Sequence, residues 1–110
     1  MGHEHCYPAE GFDLPGTLGD LLVGTHMHDN FGQSDPHVIT WNDDNHILPF
    51  DGTVDFRRIG QMLKKCGYAG TITLETGRKP MIPWYRDLTI EDFLAMAHER
   101  AICVAAWCEE

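Results

Sequence analysis

Histidines and carboxylates gather at a few points of the chain where a strand gives way to a loop. A short apolar run, LLVGTHMH at 21–28, is of strand length and ends in two imidazoles. A long polar loop follows it, and a second strand pattern, TITL, ends at a glutamate. Imidazole and carboxylate groups are common ligands of divalent metal ions. The residues in question are His26, His28, Asp44, His46 and Glu75.

The elements around these residues predict alternating strands and helices. After the long loop, Phe56, Ile59 and Leu63 fall on one helical face behind Asp55, and Gly67 is a left-handed stop with Tyr68 folding back. The strand at 71–74 comes next. Thr89 then caps a second helix with Asp92 at the capping-box position. We expect the apolar stripe of that helix to consist of Ile90, Phe93, Leu94, Ala97 and Ala101.

This order of elements predicts parallel βα units. Parallel strands need cover on both faces, and two strands with two helices cannot supply it, so the sequence reads as a piece of a larger α/β fold. In a βα barrel the functional groups collect where the strands end, which is where the histidines and Glu75 stand. Taken singly, a loop histidine is usually a solvated surface group and a strand-end glutamate an ion-pair partner or an exposed charge. Together at one edge, these residues also suit a divalent ion such as Mn²⁺, Co²⁺, Zn²⁺ or Mg²⁺.

Charge and composition narrow the class of function. Seventeen acidic residues against eight basic ones give a net charge of −9, which disfavours a nucleic-acid partner. No stretch approaches the ~20 apolar residues that cross a bilayer. The four cysteines form no CxxC pair, and we expect free thiols and a cytoplasmic location without a membrane partner.

Three segments together resemble the last two βα units of the xylose-isomerase-like superfamily. They are GTHMHDN (24–30), DDNHILPFDGTVDF (43–56) and LKKCGYAGTITLE (63–75), and the opening MGHEH is similar to the D-x-G-H motif that ends the preceding strand. The superfamily includes sugar and sugar-phosphate isomerases, epimerases and endonuclease IV. The resemblance implies that residues 1–110 form the C-terminal part of a (β/α)8 TIM barrel, about its last two to three βα units.

The resemblance also implies roles for individual residues. His26 and Glu75 correspond to metal ligands, and Glu75 also to a catalytic base. His3 corresponds to a catalytic histidine that touches substrate. Asp44 and His46 match the pair that holds an additional zinc in endonuclease IV. His28 and Asp29 are expected to support these ligands from behind.

The implied activity is that of a metal-dependent isomerase or epimerase of a sugar or sugar phosphate, which transfers a proton next to a carbonyl. The Asp of D-x-G-H and a glutamate of an earlier strand are absent from the sequence, so we expect this chain alone to be inactive or very weak. Two alternatives stay open: a non-catalytic half-barrel that self-associates into a homo-oligomer, and an endonuclease IV-like repair enzyme.

Overall fold

A computed structural model of the protein describes residues 1–6, 12–38, 40, 43–78 and 83–110. Short helices come first, and a long irregular segment separates the first strand from the longer helices. The elements are α1 (Gly2–Cys6), α2 (Leu14–Leu18), a 3-10 turn (Gly19–Leu21), β1 (Thr25–Met27), α3 (Phe56–Lys65), β2 (Ile72–Leu74), α4 (Trp84–Asp87) and α5 (Ile90–Glu109).

The strands β1 and β2 pair in parallel and form one sheet. Thr25 lies opposite Ile72 and Met27 opposite Leu74, and the ladder closes where Glu75 N donates to Met27 O at 2.8 Å. The predicted α/β class with parallel strands agrees with this arrangement. The two strands run side by side with α3 between them in the chain, as a βα unit requires.

The prediction of a partial TIM barrel is wrong. Within the described residues the sheet has two strands of three residues each, far short of two to three barrel units. The run at 21–28 becomes a strand only at its end, because Leu21 belongs to the 3-10 turn and Val23 is exposed. The opening segment, expected to end a strand, is helix α1. Barrel curvature needs a closed ring of tilted strands, and two short strands cannot generate it.

Helix α3 lies where the apolar pattern predicts it and is followed by the predicted left-handed glycine. The Asp55 carboxylate accepts a hydrogen bond from Arg58 N at 2.9 Å, which satisfies one of the free N–H groups at the helix start. Beyond its end, Gly67 adopts a φ of 73°, and Tyr68 N donates to Leu63 O at 3.0 Å. This left-handed glycine turns the chain toward β2.

Two small apolar clusters hold the elements together. The first cluster packs α3 against β1 and α5, and the second packs α5 and α4 against the loop that follows residue 46. The buried members of the first are Met27, Phe56, Ile59, Leu63 and Val104, and those of the second are Ile47, Leu48, Tyr85 and Phe93.

A buried polar network fixes α4 and α5 to the same loop. The Tyr85 hydroxyl donates to Asp51 and accepts a hydrogen bond from Leu48 N at 3.0 Å. Arg100 Nη1 lies 2.6 Å from the Asp51 carboxylate and 2.9 Å from Pro49 O. Burial, together with Asp51, raises the pKa of Tyr85, so the hydroxyl keeps its proton.

Helix α5 begins as predicted, but its buried face differs from the predicted stripe. Thr89 Oγ1 accepts the hydrogen bond from Asp92 N at 3.1 Å. Phe93 and Val104 are buried, whereas Ile90 and Leu94, both expected in the stripe, are exposed. No helix in the described parts of the chain is both long and apolar enough to cross a membrane.

Candidate metal centre

Four potential ligands from three separate parts of the chain meet at one place. His3 lies on α1, His28 follows β1, and Asp44 and His46 lie in the long loop. One ligand atom from each of the four comes within 4.8 Å of all the others. We call these four residues the His–Asp cluster.

Asp44 is the centre of the His–Asp cluster. Its Oδ1 lies 3.0 Å from His46 Nε2 and 3.4 Å from His28 Nε2, and its Oδ2 lies 3.2 Å from His3 Nε2. Despite these distances, His28 Nε2 and Asp44 Oδ1 are buried and have no hydrogen-bond partner among the residues that the structure describes. Buried polar atoms are rarely left unpaired, and a cation shared by both would account for the pair.

The opposite ring nitrogen of each inner histidine faces a backbone carbonyl. His46 Nδ1 lies 3.0 Å from Glu75 O, and His28 Nδ1 lies 3.3 Å from Asp29 O. A carbonyl oxygen only accepts, so Nδ1 carries the proton in both bonds. Nε2 then presents a lone pair toward Asp44, which is how backbone carbonyls prepare histidines for metal ligation.

His28 is the most deeply placed ring of the cluster. Its side chain has 0% exposure, and its ring stacks on His46 with centroids 3.9 Å apart and planes 11° apart. Burial is the main cause that lowers the pKa of His28 to about 4, and His46 and His3 lower it further. The hydrogen bond with the Asp29 carbonyl and the charge of Asp44 act in the opposite direction. The ring is therefore neutral near pH 7, which is the form that binds metal.

The Asp29 carboxylate does not belong to the His–Asp cluster and instead organises the loop that carries it. Its Oδ1 accepts hydrogen bonds from Asn30 N at 2.8 Å and Val54 N at 3.0 Å, and its Oδ2 accepts from Phe50 N at 2.9 Å and Gly52 N at 2.8 Å. We call this arrangement the Asp29 clasp. Four backbone N–H groups are enough to stabilise a buried carboxylate without a cation.

Further contacts fix the clasped loop in place. Asp29 and Ile47 exchange backbone hydrogen bonds of 2.8 and 3.1 Å as an antiparallel bridge. A Cβ at Gly52 would lie 2.3 Å from both Asn30 O and Asp29 Oδ1, so only glycine fits there. Because Asp44 and His46 lie directly before this bridge, the clasp determines where these two ligands stand.

The neighbouring Asp43 anchors the other end of the loop. Its carboxylate accepts hydrogen bonds from Ser34 N at 3.0 Å and from Thr40 N at 2.6 Å. These bonds, the one from Thr40 first, lower the pKa of Asp43. Asp43 therefore stays ionised with its oxygens bonded to Ser34 and Thr40, and Asp44 is the carboxylate within the cluster.

Helix α1 is docked closely enough to bring His3 over His28. A Cβ on Gly2 would lie 2.4 Å from the His28 ring, and Asn30 Nδ2 donates to Gly2 O at 2.8 Å. At the far end of α1, Cys6 Sγ lies 3.4 Å from Asp43 O. A five-residue helix is not stable alone, so these contacts are what position His3.

Two predicted ligands, His26 and Glu75, lie beside the cluster and outside it. Glu75 Oε2 is 3.7 Å from His26 Nδ1 and 3.9 Å from His46 Nδ1, and the His26 ring is 66% exposed. The structure thus brings Asp44 and His46 together with His3 and His28, and it places Glu75 next to His46 on the solvent side. The sequence predicted that the His26 and His28 side chains point the same way, with His26 as the ligand and His28 as its support. In the structure His28 is the buried ring, and His26 is exposed.

Sequence reasoning missed His28 as a member of the cluster. It assigned the ligand position to His26 by motif, while the strand ends at Met27 and His28 already belongs to the loop. The signal available in the sequence was the crowding of His3, His28 and His46 with a D-x-H pair. It does not say which ring is buried.

Comparisons with known proteins give one relative and no family. The chain is 31% identical, over an alignment of 113 residues, to "Uncharacterized protein y4fM" of Sinorhizobium fredii. The alignment covers 87% of this chain and 33% of that protein, so the chain spans about a third of its relative's length. No model of a protein family matches the chain, and no solved structure gives a significant match.

Proposed function

We propose that the chain binds a divalent metal ion at the His–Asp cluster and that this site serves proton transfer next to the carbonyl of a sugar or sugar phosphate, as in isomerases and epimerases, with at most a weak activity in this chain alone. The observation that carries the proposal is the pair of buried, unpartnered atoms, His28 Nε2 and Asp44 Oδ1, which face each other within the described residues. The resemblance of the sequence to xylose-isomerase-like proteins supplies the reaction class.

The donor set fits a borderline divalent ion. Three imidazole nitrogens and one carboxylate suit Zn²⁺, Co²⁺ or Mn²⁺, and Mg²⁺ fits least because it prefers oxygen ligands. The outer side of the cluster is open to solvent, since the His3 side chain is half exposed and that of Asp44 about a third. A small hydroxy-ketone could therefore reach the ligands from that side.

Glu75 is the residue that would move the proton. Its carboxylate lies 3.9 Å from His46 Nδ1, and its side chain is 40% exposed, so a small substrate can reach it from solvent. A bound metal ion supplies a Lewis acid for the substrate carbonyl. The Glu75 carboxylate would remove the proton from the adjacent carbon, hold it as a carboxylic acid and return it to the neighbouring position.

Metal binding is tested on the protein stripped with a chelator and titrated with Zn²⁺, Co²⁺ or Mn²⁺ in a calorimeter. We expect one ion per chain for the wild type and at least a tenfold loss of affinity in His46→Ala and in Asp44→Asn, since each removes a ligand. The matched control is His37→Ala, whose exposed ring lies outside the cluster. Equal affinity in all four proteins would refute the site.

Proton transfer is tested separately, with dihydroxyacetone or its phosphate in D₂O and the metal-loaded protein. We expect deuterium to enter the carbon next to the carbonyl, and Glu75→Gln to abolish this exchange while the ion still binds. If the ion binds and raises the melting temperature but no exchange occurs in the wild type, the cluster is a structural metal centre and the proposed reaction is wrong.

A further inference from the structure

Helix α5 has two apolar faces, and only one of them is covered by the rest of the chain. Phe93 and Val104 are buried against the core. On the other side Ile90, Leu94 and Ile102 are 58%, 59% and 55% exposed. At 3.6 residues per turn, these three side chains fall within an arc of about 120°, so they form one stripe along the helix.

Small residues fill the space between the large side chains of this stripe. They are Ala95, Ala101, Ala105 and Ala106, with His98 near the middle. Of the acidic residues on this side, Glu91 and Glu109 lie at its two ends, and the exposed Glu99 lies along its edge beside Ala95 and Ala106. We call this surface the outer α5 face. A helix that is apolar on both sides is normally covered on both sides.

The chain exposes more surface than a folded monomer of its mass normally does. The solvent-accessible surface is 6960 Å². A folded monomer of this mass exposes roughly 6,200 Å², so the excess is roughly 800 Å², and one partner in a standard-size interface buries roughly 800 Å². The chain is also thin, with extents of 40 × 36 × 19 Å, as expected for a layer that packs against another.

We propose that two copies of the chain form a dimer by packing their outer α5 faces against each other about a two-fold axis. With His98 near the axis and the helices antiparallel, Leu94 of one copy meets Ile102 of the other. Ile90 then meets Ala106, a large side chain against a small one. The stripe is thus complementary to itself, as an isologous interface requires.

The charge pattern favours a second copy over a basic partner. A basic amphipathic helix would need acidic residues along the whole stripe, and between Glu91 and Glu109 the outer α5 face has only Glu99, at its edge. The net charge of −9 on each copy opposes dimerisation at long range. Salt screens this repulsion, so we expect the dimer to become tighter as salt increases, whereas a basic partner would bind more weakly.

The dimer is tested by sedimentation equilibrium on the full chain, whose monomer mass is 12.5 kDa. We expect a monomer–dimer equilibrium for the wild type and a dissociation constant about a hundredfold or more weaker for Leu94→Glu, because the change buries two unpaired charges in the interface. Ile102→Glu should have the same effect. Far-ultraviolet circular dichroism checks that both variants remain folded.

Val23→Glu is the matched control, because Val23 is 88% exposed and belongs to the segment before β1 and not to α5. It should dimerise like the wild type. A wild-type chain that stays monomeric up to the highest soluble concentration would overturn the proposal. Equal weakening by Val23→Glu, or none by Leu94→Glu and Ile102→Glu, would equally overturn it. The outcome is independent of metal binding, since the His–Asp cluster lies outside the outer α5 face.

Discussion

The Asp29 clasp and the His–Asp cluster are neighbouring polar sites, and their central carboxylates differ in their hydrogen-bond partners. In the clasp, both oxygens of Asp29 accept two backbone N–H bonds each. In the cluster, Asp44 Oδ1 faces two imidazole nitrogens and has no hydrogen-bond partner within the described parts of the chain. A closed set of bonds stabilises a loop, whereas an open set provides donor atoms for a ligand.

The difference follows from which groups surround each carboxylate. The clasp uses backbone N–H groups, which cannot lose their protons and cannot leave. The cluster uses imidazoles whose Nδ1 protons are committed to the carbonyls of Asp29 and Glu75. Asp29 contributes to both regions, with its side chain in the clasp and its carbonyl behind His28, so the clasp positions the cluster.

Asp29→Asn should have the largest effect on stability. The amide replaces one acceptor oxygen with a donor that faces backbone N–H groups, so about two hydrogen bonds are lost in a buried place. We expect the free energy of unfolding to fall by about 3 kcal/mol or more, measured by urea denaturation at neutral pH. Asp20→Asn, on an exposed side chain, should change it by less than about 0.5 kcal/mol. A loss no larger than in this control would contradict the clasp.

Metal should stabilise the protein through the cluster alone. At a free concentration about a hundredfold above the dissociation constant, Zn²⁺ should add about 2.7 kcal/mol to the free energy of unfolding. The same free concentration should add about 1.4 kcal/mol or less to Asp44→Asn, whose affinity is expected to be at least tenfold lower. It should still stabilise a His26→Gln variant in full, because His26 lies outside the cluster. If Zn²⁺ no longer stabilised His26→Gln, the metal would be bound by His26 and Glu75, the ligands predicted from the sequence.

Acid should destabilise the metal-free protein through His28. Burial lowers the pKa of His28 from 6.5 to about 4. Between these pH values the unfolded chain therefore binds a proton that the folded chain does not bind. The contribution of the neutral ring is complete above pH 6.5 and is lost as the pH falls toward 4, at a cost of about 1 to 2 kcal/mol after allowance for solvent near the cluster.

The measurement is the unfolding free energy of metal-free protein across this interval, for the wild type and for His28→Gln. The variant should lack this part of the pH dependence. Burial also raises the pKa of Glu4 above its ordinary value, so Glu4 contributes to the pH dependence of both proteins, and the difference between them isolates His28. Identical slopes for both proteins would show that His28 is not held neutral by its burial.

The sequence predicts local structure well where the determinants are local. Asp55, Gly67 and Thr89 mark the ends of α3 and the start of α5, because caps and left-handed turns depend on a few adjacent residues. The barrel prediction failed because a strand pattern does not say how many residues find a partner. Only three of the eight residues at 21–28 did.

The candidate site was predictable in residue type and only partly in membership. The D-x-H pair drew attention to Asp44 and His46. The burial of His28 depends on Gly2, which is 26 positions away along the chain, and on the Asp29 clasp, in which Asp29 and Gly52 are 23 positions apart. Contacts of this range leave no periodic trace in the sequence. The exposed face of α5 was missed for the same reason, because an apolar stripe does not reveal which side of it the core covers.

Asp44→Asn in the metal-free protein should have the smallest effect, and it sharpens the contrast with Asp29→Asn most directly. The substitution weakens one contact to His3, which is half exposed, and exposed pairs contribute about 1 kcal/mol or less. It also replaces a buried oxygen that has no hydrogen-bond partner in the described chain, which removes the free-energy cost of leaving that oxygen unpaired. We expect a net change within about 1 kcal/mol, measured by the same urea denaturation. A loss as large as that of Asp29→Asn would mean that Asp44 holds the loop as a structural residue, and the distinction between the closed and the open carboxylate would no longer stand.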